Sequence, residues 1–180
     1  DICFLKLIDT IYLKFSKDDT FHQNKNNSFI VDPKNNLILQ AIKKFRSHIY
    51  WDKKFEIYLD KNIPIGAGLG GGSADAAATL VLLRKLFNED KKQNKIPISK
   101  IFQIGSELGS DVPSCIMSKD LRLSGYGEEI KRKIFPKNYY FIIIYPNFEL
   151  STRSVFKQYS NTKDLSYNSK VIFFENIKIY

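Results

Sequence analysis

The sequence predicts an α+β fold, on three observations. Strand-like segments precede helical ones without a regular strand–helix–strand repeat, which argues against a doubly wound sheet. One strand signal, residues 54–60, alternates cleanly, with Phe55, Ile57 and Leu59 on one side and Glu56, Tyr58 and Asp60 on the other. A cluster of glycines then runs straight into an apolar, alanine-rich helix. With 180 residues, 43% of them hydrophobic, the chain can form one large domain, or one domain and the beginning of a second.

Residues 2–15, rich in Ile, Leu, Phe and Tyr, read as one or two strands. The polar stretch 16–27 predicts a loop or hairpin tip, and 28–31 a short returning strand. Asp32-Pro33 breaks the chain, and Asn36 caps a helix carrying Leu37, Ala41, Ile42 and Phe45 on one face. Beyond strand 54–60 and the glycines, residues 79–87 form a strongly apolar helix that Asn88 ends. Ser99 caps a further helix with Ile101, Ile104 and Leu108, stopped by Gly109. Residues 121–134 read as a β-hairpin turning at Gly125-Tyr126-Gly127. Residues 139–145 predict a buried strand, 151–159 a capped helix, and 171–174 the start of another element.

The formal net charge of +9 does not by itself imply a polyanionic partner. Lys outnumbers Arg 23 to 5, and Ile and Asn are abundant, as A/T-rich codons would produce. The lysines are scattered rather than gathered into a stripe with interleaved aromatics, so nucleic acid is not an expected partner. No apolar run approaches the roughly 20 residues that span a bilayer. The first residues carry no secretory signal, and Cys3 and Cys115, far apart, read as free thiols of a cytoplasmic protein. His22 and His48 read as incidental, and no spacing suggests zinc. The absence of an initiating methionine predicts that the sequence begins inside a longer one.

Residues 64–78 read Pro-Ile-Gly-Ala-Gly-Leu-Gly-Gly-Gly-Ser-Ala-Asp-Ala-Ala-Ala and hold five of the nine glycines. Glycine is costly to order, so such a cluster marks backbone with φ > 0 or close approach to something. Ser73 is a good N-cap, and a helix start offers unpaired N–H groups and about half a positive charge. Glycines feeding it can wrap a phosphate in amide donors where no side chain can stand. A Walker A loop is excluded, because no Lys-Ser or Lys-Thr follows the glycines. Gly66, Gly68 and Gly71 match the spacing of a dinucleotide fingerprint, but its acidic partner, Asp90, falls in a polar loop. A plain linker fits poorly with glycines flanked by apolar residues.

The run Pro64, Ile65, Gly66, Ala67, Gly68, Leu69, Gly70, Gly71, Gly72, Ser73, Ala74 closely resembles the ATP-binding loop of the GHMP kinases. Its Gly-Leu-Gly-Gly-Gly-Ser form is typical of the branch that phosphorylates 4-diphosphocytidyl-2-C-methyl-D-erythritol (CDP-methylerythritol). Further segments agree in order. Asn36-Leu37 resembles the family's helix opening, and Asp60-Lys61-Asn62-Ile63-Pro64 its lead into the loop. Leu108-Gly109-Ser110-Asp111-Val112-Pro113 resembles Leu-Gly-Ala-Asp-Val-Pro, Gly125-Tyr126-Gly127-Glu128 a Gly-x-Gly-Glu hairpin, and Tyr145-Pro146 with Ser151-Thr152 to Phe156 the substrate half. Ser110 stands for the usual Ala and Ala74 for a common Ser, both small enough to keep the loop's shape.

The resemblance implies the two-domain GHMP fold. Residues 1–135 would be an ATP-binding domain like ribosomal protein S5 domain 2, and 136–180 the start of a ferredoxin-like second domain. It implies ATP and Mg²⁺ as cofactors, and phosphoryl transfer to the 2-hydroxyl of CDP-methylerythritol in the non-mevalonate isoprenoid pathway. Residues 64–74 would hold the nucleotide, and Asp111 would be the catalytic base. Thr152 and Phe156 would contact substrate, Phe156 by stacking on cytosine, and Ser73 is a candidate Mg²⁺ contact. Simpler roles stand beside these: Asp111 as an N-cap, Phe156 as a core residue, Ser73 as a cap only, and Asp75 as support for the loop. Another GHMP kinase, a non-catalytic relative or a basic binding module of the same fold are the alternatives. The family's opening Ala-Lys-Ile-Asn-Leu strand, its Gly-Tyr-His and its later glycine-rich loop are not in this sequence. Residues 1–180 alone are therefore expected not to be a competent kinase.

Overall fold

The computed structural model describes residues 1–24, 31–124, 129–133, 141–143 and 157. The chain divides into two units, Asp1–Glu149 and Leu150–Tyr180. All the strands and α-helices described below belong to the first. In the second, the described residue is Lys157, helical and exposed.

The alternating segment becomes β3 (Lys54–Asp60), the centre of a three-stranded sheet of order β1-β3-β2. Phe55, Ile57 and Leu59 are buried, as the alternation predicts. β1 (Thr10–Ser16) runs antiparallel to β3 and β2 (Thr20–Gln23) parallel to it, so Leu13 and Phe21 both stand opposite Ile57. The short turn 17–19 thus carries the chain around the start of β3 from one edge to the other. Asp19 secures this crossing. Its carboxylate accepts both arms of the Arg46 guanidinium at 2.7 and 2.8 Å and the Phe55 amide at 3.0 Å. The hydrogen bonds from Arg46, ahead of the Phe55 amide, hold the Asp19 carboxyl down at about 2.

Two expectations change here. The segment 16–27 was expected as a loop, yet it contains β2, because the second edge of β3 offers unpaired backbone groups and Phe21 gains a half-buried place. Within residues 2–15 the strand proper begins at Thr10, and Ile2 makes a single antiparallel bridge to Leu121. Of the proposed returning strand, residues 28–30 lie outside the described residues, and Val31 is not in a strand.

The Asp32 carboxylate accepts the Lys34 amide and starts a 3-10 turn, Pro33–Asn35. Asn36 then caps α1 (Leu37–His48), its Oδ1 accepting the amides of Ile38 at 2.9 Å and Leu39 at 3.4 Å. Ile38, Ala41, Ile42 and Phe45 face the core, and Leu37 is half-buried. Losing the cap in Asn36→Ala should cost about 1 kcal/mol, read as a lowered melting temperature, while Asn36→Asp, which keeps the acceptor, should retain most of it.

α2 (Gly71–Asp90) packs on α1, and α3 (Ile98–Ser106) and α4 (Val112–Met117) pack on α2. Phe45, Trp51, Phe55 and Phe87 form an aromatic cluster at one end of this core. α2 starts earlier than Ser73. Gly70, in the left-handed conformation, takes the cap position, and Ser73 falls inside the first turn. Backbone geometry, not a hydroxyl cap, sets this start. Asn88 does not end α2 either. Its side chain accepts the Ile96 amide at 2.7 Å and donates to the Ile96 carbonyl, bracing the link to α3. α3 begins behind Pro97, whose fixed φ pre-sets the turn, so Ser99 is not its cap. Leu108 and Gly109 lie beyond its end.

β4 (Leu121–Ser124) and β5 (Glu129–Arg132) form the predicted hairpin, whose turn 125–128 lies outside the described residues. The buried strand expected over 139–145 is not borne out where it can be checked. Phe141, Ile142 and Ile143 are not in a strand and are 54%, 71% and 42% exposed. An apolar run becomes a buried strand only when another strand takes its backbone groups, and no described strand pairs with these three. The helix expected over 151–159, apart from helical Lys157, and the element at 171–174 lie outside the described residues.

Candidate active site

The glycine segment leaves the end of β3 and returns as α2. Gly66, Gly68 and Gly70 have φ of +70°, +71° and +70°, while Ala67 and Leu69 between them stay out of the positive-φ region. Alternation of this kind turns successive N–H groups toward one side and makes an anion-binding concavity. A Cβ at Gly68 or Gly70 would meet nothing within 4 Å, so backbone conformation alone demands glycine there. Gly71 differs. A Cβ on it would lie 2.8 Å from Ile63 Cγ2 and 3.1 Å from Lys61 Nζ. The expectation that the glycines chiefly clear room for phosphate oxygens is thus refined, since Gly71 clears room for the protein's own side chains.

Loop residues 64–73 line one side of an open groove of about 420 Å³, with Val31, Asn36, Leu37 and Ile38 on its other wall. The start of α2 has neither a side-chain cap nor an acidic residue in its first turn. The Ala74 amide bonds the Gly70 carbonyl at 2.9 Å, whereas those of Gly71, Gly72 and Ser73 have no acceptor among the described residues. A helix start with free amides, facing a groove, is a ready anion site. Ala74, in the first turn, is not part of the groove wall.

Beside Gly71 lies an ionic cluster. Lys61 Nζ donates to Asp9 Oδ2 at 2.5 Å and to Asp75 Oδ2 at 2.8 Å. The side chains of Lys61, Asp9 and Asp75 are only 3%, 3% and 7% exposed. Asp9 Oδ1 also accepts the amides of Asn62 at 2.6 Å and Ile63 at 2.8 Å. Burial pushes the Asp75 carboxyl up to about 7, against the pull of the Lys61 ammonium and with a further push from Asp9.

The sign of the resulting pH dependence follows from linkage. Unfolded, Asp75 loses its proton near 3.8; folded, it keeps it to about 7. Its contribution to stability is therefore full below the lower value and is lost as pH rises through the upper one. Asp75→Asn imitates the protonated form and should remove that decline. Melting temperatures of the two proteins should match near the lower value and diverge in favour of Asn above the upper one; parallel curves would refute the assignment.

Asp111 stands at the N-terminus of α4 and is exposed. α4 is held by Val112, buried against α2 and α3, and by Gly105, where a Cβ would come within 2.8 Å of Ile116. The Asp111 side chain makes no capping bond. Its backbone carbonyl accepts from the Ser114 hydroxyl at 2.7 Å, and its Oδ1 accepts from the Ser110 hydroxyl at 3.3 Å. The N-cap role weighed from sequence thus does not hold for the carboxylate. Asp111 is not part of the groove wall. Nearby, burial, with Asp111's charge second, pushes the Cys115 thiol up to about 11, which keeps it protonated and unreactive.

Thr152 and Phe156 lie outside the described residues. Asp90, the acidic residue of the rejected dinucleotide pattern, closes α2 and accepts the Trp51 indole N–H at 3.1 Å. His22 stacks on Tyr58 and His48 pairs with Glu107, both outside the groove. No cluster of three or more His, Cys, Asp or Glu side chains suited to a metal occurs among the described residues. Nor is any of their helices long and apolar enough to cross a membrane. Sequence reasoning missed Asp9 and Lys61 as site residues. Lys61 was visible only as part of Asp60-Lys61-Asn62-Ile63-Pro64, the segment that leads into the loop, with no role attached to its ammonium.

Residues 36–119 match the GHMP kinases N terminal domain. The 4-diphosphocytidyl-2-C-methyl-D-erythritol kinase of Shewanella piezotolerans is 34% identical over 154 residues, covering 86% of this chain and 52% of the relative. That of Caldanaerobacter subterraneus subsp. tengcongensis is 38% identical over 144 residues, covering 79% and 48%. The chain thus spans about half the length of the curated relatives it matches. A crystal structure of 4-(cytidine 5'-diphospho)-2C-methyl-D-erythritol kinase aligns with TM-score 0.55 and 28% identity over 72% of this chain and 43% of that one. Homoserine kinase from Cytophaga hutchinsonii, at 17% identity and TM-score 0.61 over 83% and 50%, shares the fold.

Proposed function

We propose that the chain belongs to the GHMP kinases, whose N terminal domain its residues 36–119 match, and that it is the nucleotide-binding part of a kinase acting on 4-diphosphocytidyl-2-C-methyl-D-erythritol. The reaction moves the γ-phosphoryl group of ATP to the substrate's 2-hydroxyl, within the non-mevalonate route to isoprenoids. One observation carries the reading. Three amides with no acceptor among the described residues, Gly71 to Ser73, open a helix beneath a loop of alternating φ and beside a groove. Phosphoryl transfer asks a protein chiefly for positioning and for charge stabilisation, and these donors supply both.

Residues 64–73 are assigned to the ATP phosphates, and Ala74, whose amide is taken by the Gly70 carbonyl, to the support of the helix start. Asp111 is assigned as the base that takes the hydroxyl proton, a role that its exposed, uncapping carboxylate leaves open to it. Thr152 and Phe156 are assigned to substrate. Mg²⁺ bound together with ATP would neutralise part of the charge on its phosphates. Ser73, which lines the groove, is the protein group assigned to it, in keeping with an ion that usually takes few protein ligands. The ATP-binding domain is proposed to span 1–135, ending after β5, and the second to start over 136–180, although the chain's two compact units divide later, between Glu149 and Leu150.

The test is an ATP-dependent phosphorylation assay of the full enzyme with CDP-methylerythritol, homoserine and mevalonate side by side. Turnover restricted to the cytidyl substrate is expected. Preference for another acceptor would move the protein to a different branch of the family.

A further inference from the structure

On the reading that nucleotide phosphates sit against the glycine loop, we propose that Asp9, Lys61 and Asp75 form a buried clamp that fixes the two ends of that loop to each other, with Lys61 as a positioning residue for nucleotide binding. The loop needs such a constraint. Its conformation passes through three glycines at positive φ, and glycine loses more conformational freedom on ordering than any other residue. Lys61 precedes the loop and Asp75 follows it in α2, so their 2.8 Å ion pair spans the whole segment. Asp9 adds a third point of attachment from ahead of β1. One of its oxygens holds the Lys61 ammonium and the other takes the amides of Asn62 and Ile63.

The first residue of α2 rests on this clamp. Gly71 has no room for a side chain because Lys61 Nζ and Ile63 occupy the place. The spacing of the free amides at Gly71, Gly72 and Ser73 is therefore tied to where the ammonium sits. Charge acts in the same direction. Removing Lys61 would leave the Asp9 carboxylate, nearly sealed from solvent and so little screened by salt, without its counter-ion beside the helix start that must accept an anion.

Amide hydrogen exchange by mass spectrometry tests the clamp without relying on turnover. Lys61→Met should raise exchange at the hydrogen-bonded amides of Asn62, Ile63 and Ala74 in the nucleotide-free protein by on the order of tenfold, since breaking a buried pair exposes the full penalty of an unpaired charge. It should weaken binding of a fluorescent ATP analogue in step. Exchange in β3 and α1 should stay near that of the wild type, which a general loss of stability would not allow. Asp75→Asn keeps an acceptor for the ammonium and should stay close to wild type in both readouts. If Lys61→Met does not fold, Asp9→Asn, which weakens the hold on Lys61 but keeps an acceptor for the two amides, should give a smaller rise over the same residues. A folded Lys61→Met or Asp9→Asn protein with wild-type loop exchange would overturn the clamp. Clamp-dependent exchange in a wild-type protein whose loop ATP does not protect would support the clamp and reject the nucleotide reading instead.

Discussion

Replacing Asp111 with Asn should leave the melting temperature within about a degree of wild type and cut turnover of the full enzyme by roughly 10²–10⁴-fold, the usual worth of a general base. The fold should survive because the carboxylate caps nothing. α4 is held through the backbone carbonyl of residue 111, which takes the Ser114 hydroxyl and the Cys115 amide, and both bonds persist in the variant. Asn is nearly isosteric and keeps an acceptor for the Ser110 hydroxyl, but it cannot take a proton. Turnover and a melting curve measured on one preparation separate the two roles. Undiminished turnover would reduce Asp111 to a surface residue.

Gly71→Val is the second large effect, and it acts by a different route. Gly71 is already helical, so its backbone suits any residue; the obstacle is space. The first methyl-sized atom would overlap Ile63 and press on Lys61 Nζ. Overpacking of this kind typically costs about 1–3 kcal/mol, and here the displaced groups also set the loop. Stability and ATP affinity should fall together. Gly68→Ala is the informative comparison: its Cβ meets nothing, but the positive φ should cost roughly 1–2 kcal/mol of strain. Wild-type ATP binding and melting in Gly71→Val would contradict the packing described around that residue.

Much of this arrangement was legible in the residues themselves. The alternation in 54–60 gave β3 with its buried face, and Asn36 read as a cap because a short acceptor side chain ahead of a periodic apolar run has few other uses. The glycine density marked the loop, since local backbone demands are written locally. Long-range relations were not legible. Thr20 to Gln23 look like loop residues, and only the free edge of β3 makes them a strand. Asp9 and Asp75 meet at Lys61 although they are far apart in sequence, so neither carries a local sign of the meeting. Ser73 misled because a good capping residue stood just inside a helix that Gly70 had already begun.

The path of the chain around β3 also bears on how the protein is made. β1 and β2 are neighbours in sequence yet never pair; each waits for β3, which arrives only after α1 has been synthesised. On a ribosome that has released residues up to about α1, two strands with unsatisfied edges and the half-buried side chains Ile11, Leu13 and Phe21 therefore have no partner. α1, built from local contacts, can form in that interval, whereas the sheet must wait for a long loop to close. Until Asp60 has emerged, this stretch of nascent chain carries the bare strand edges and apolar surface from which aggregation starts.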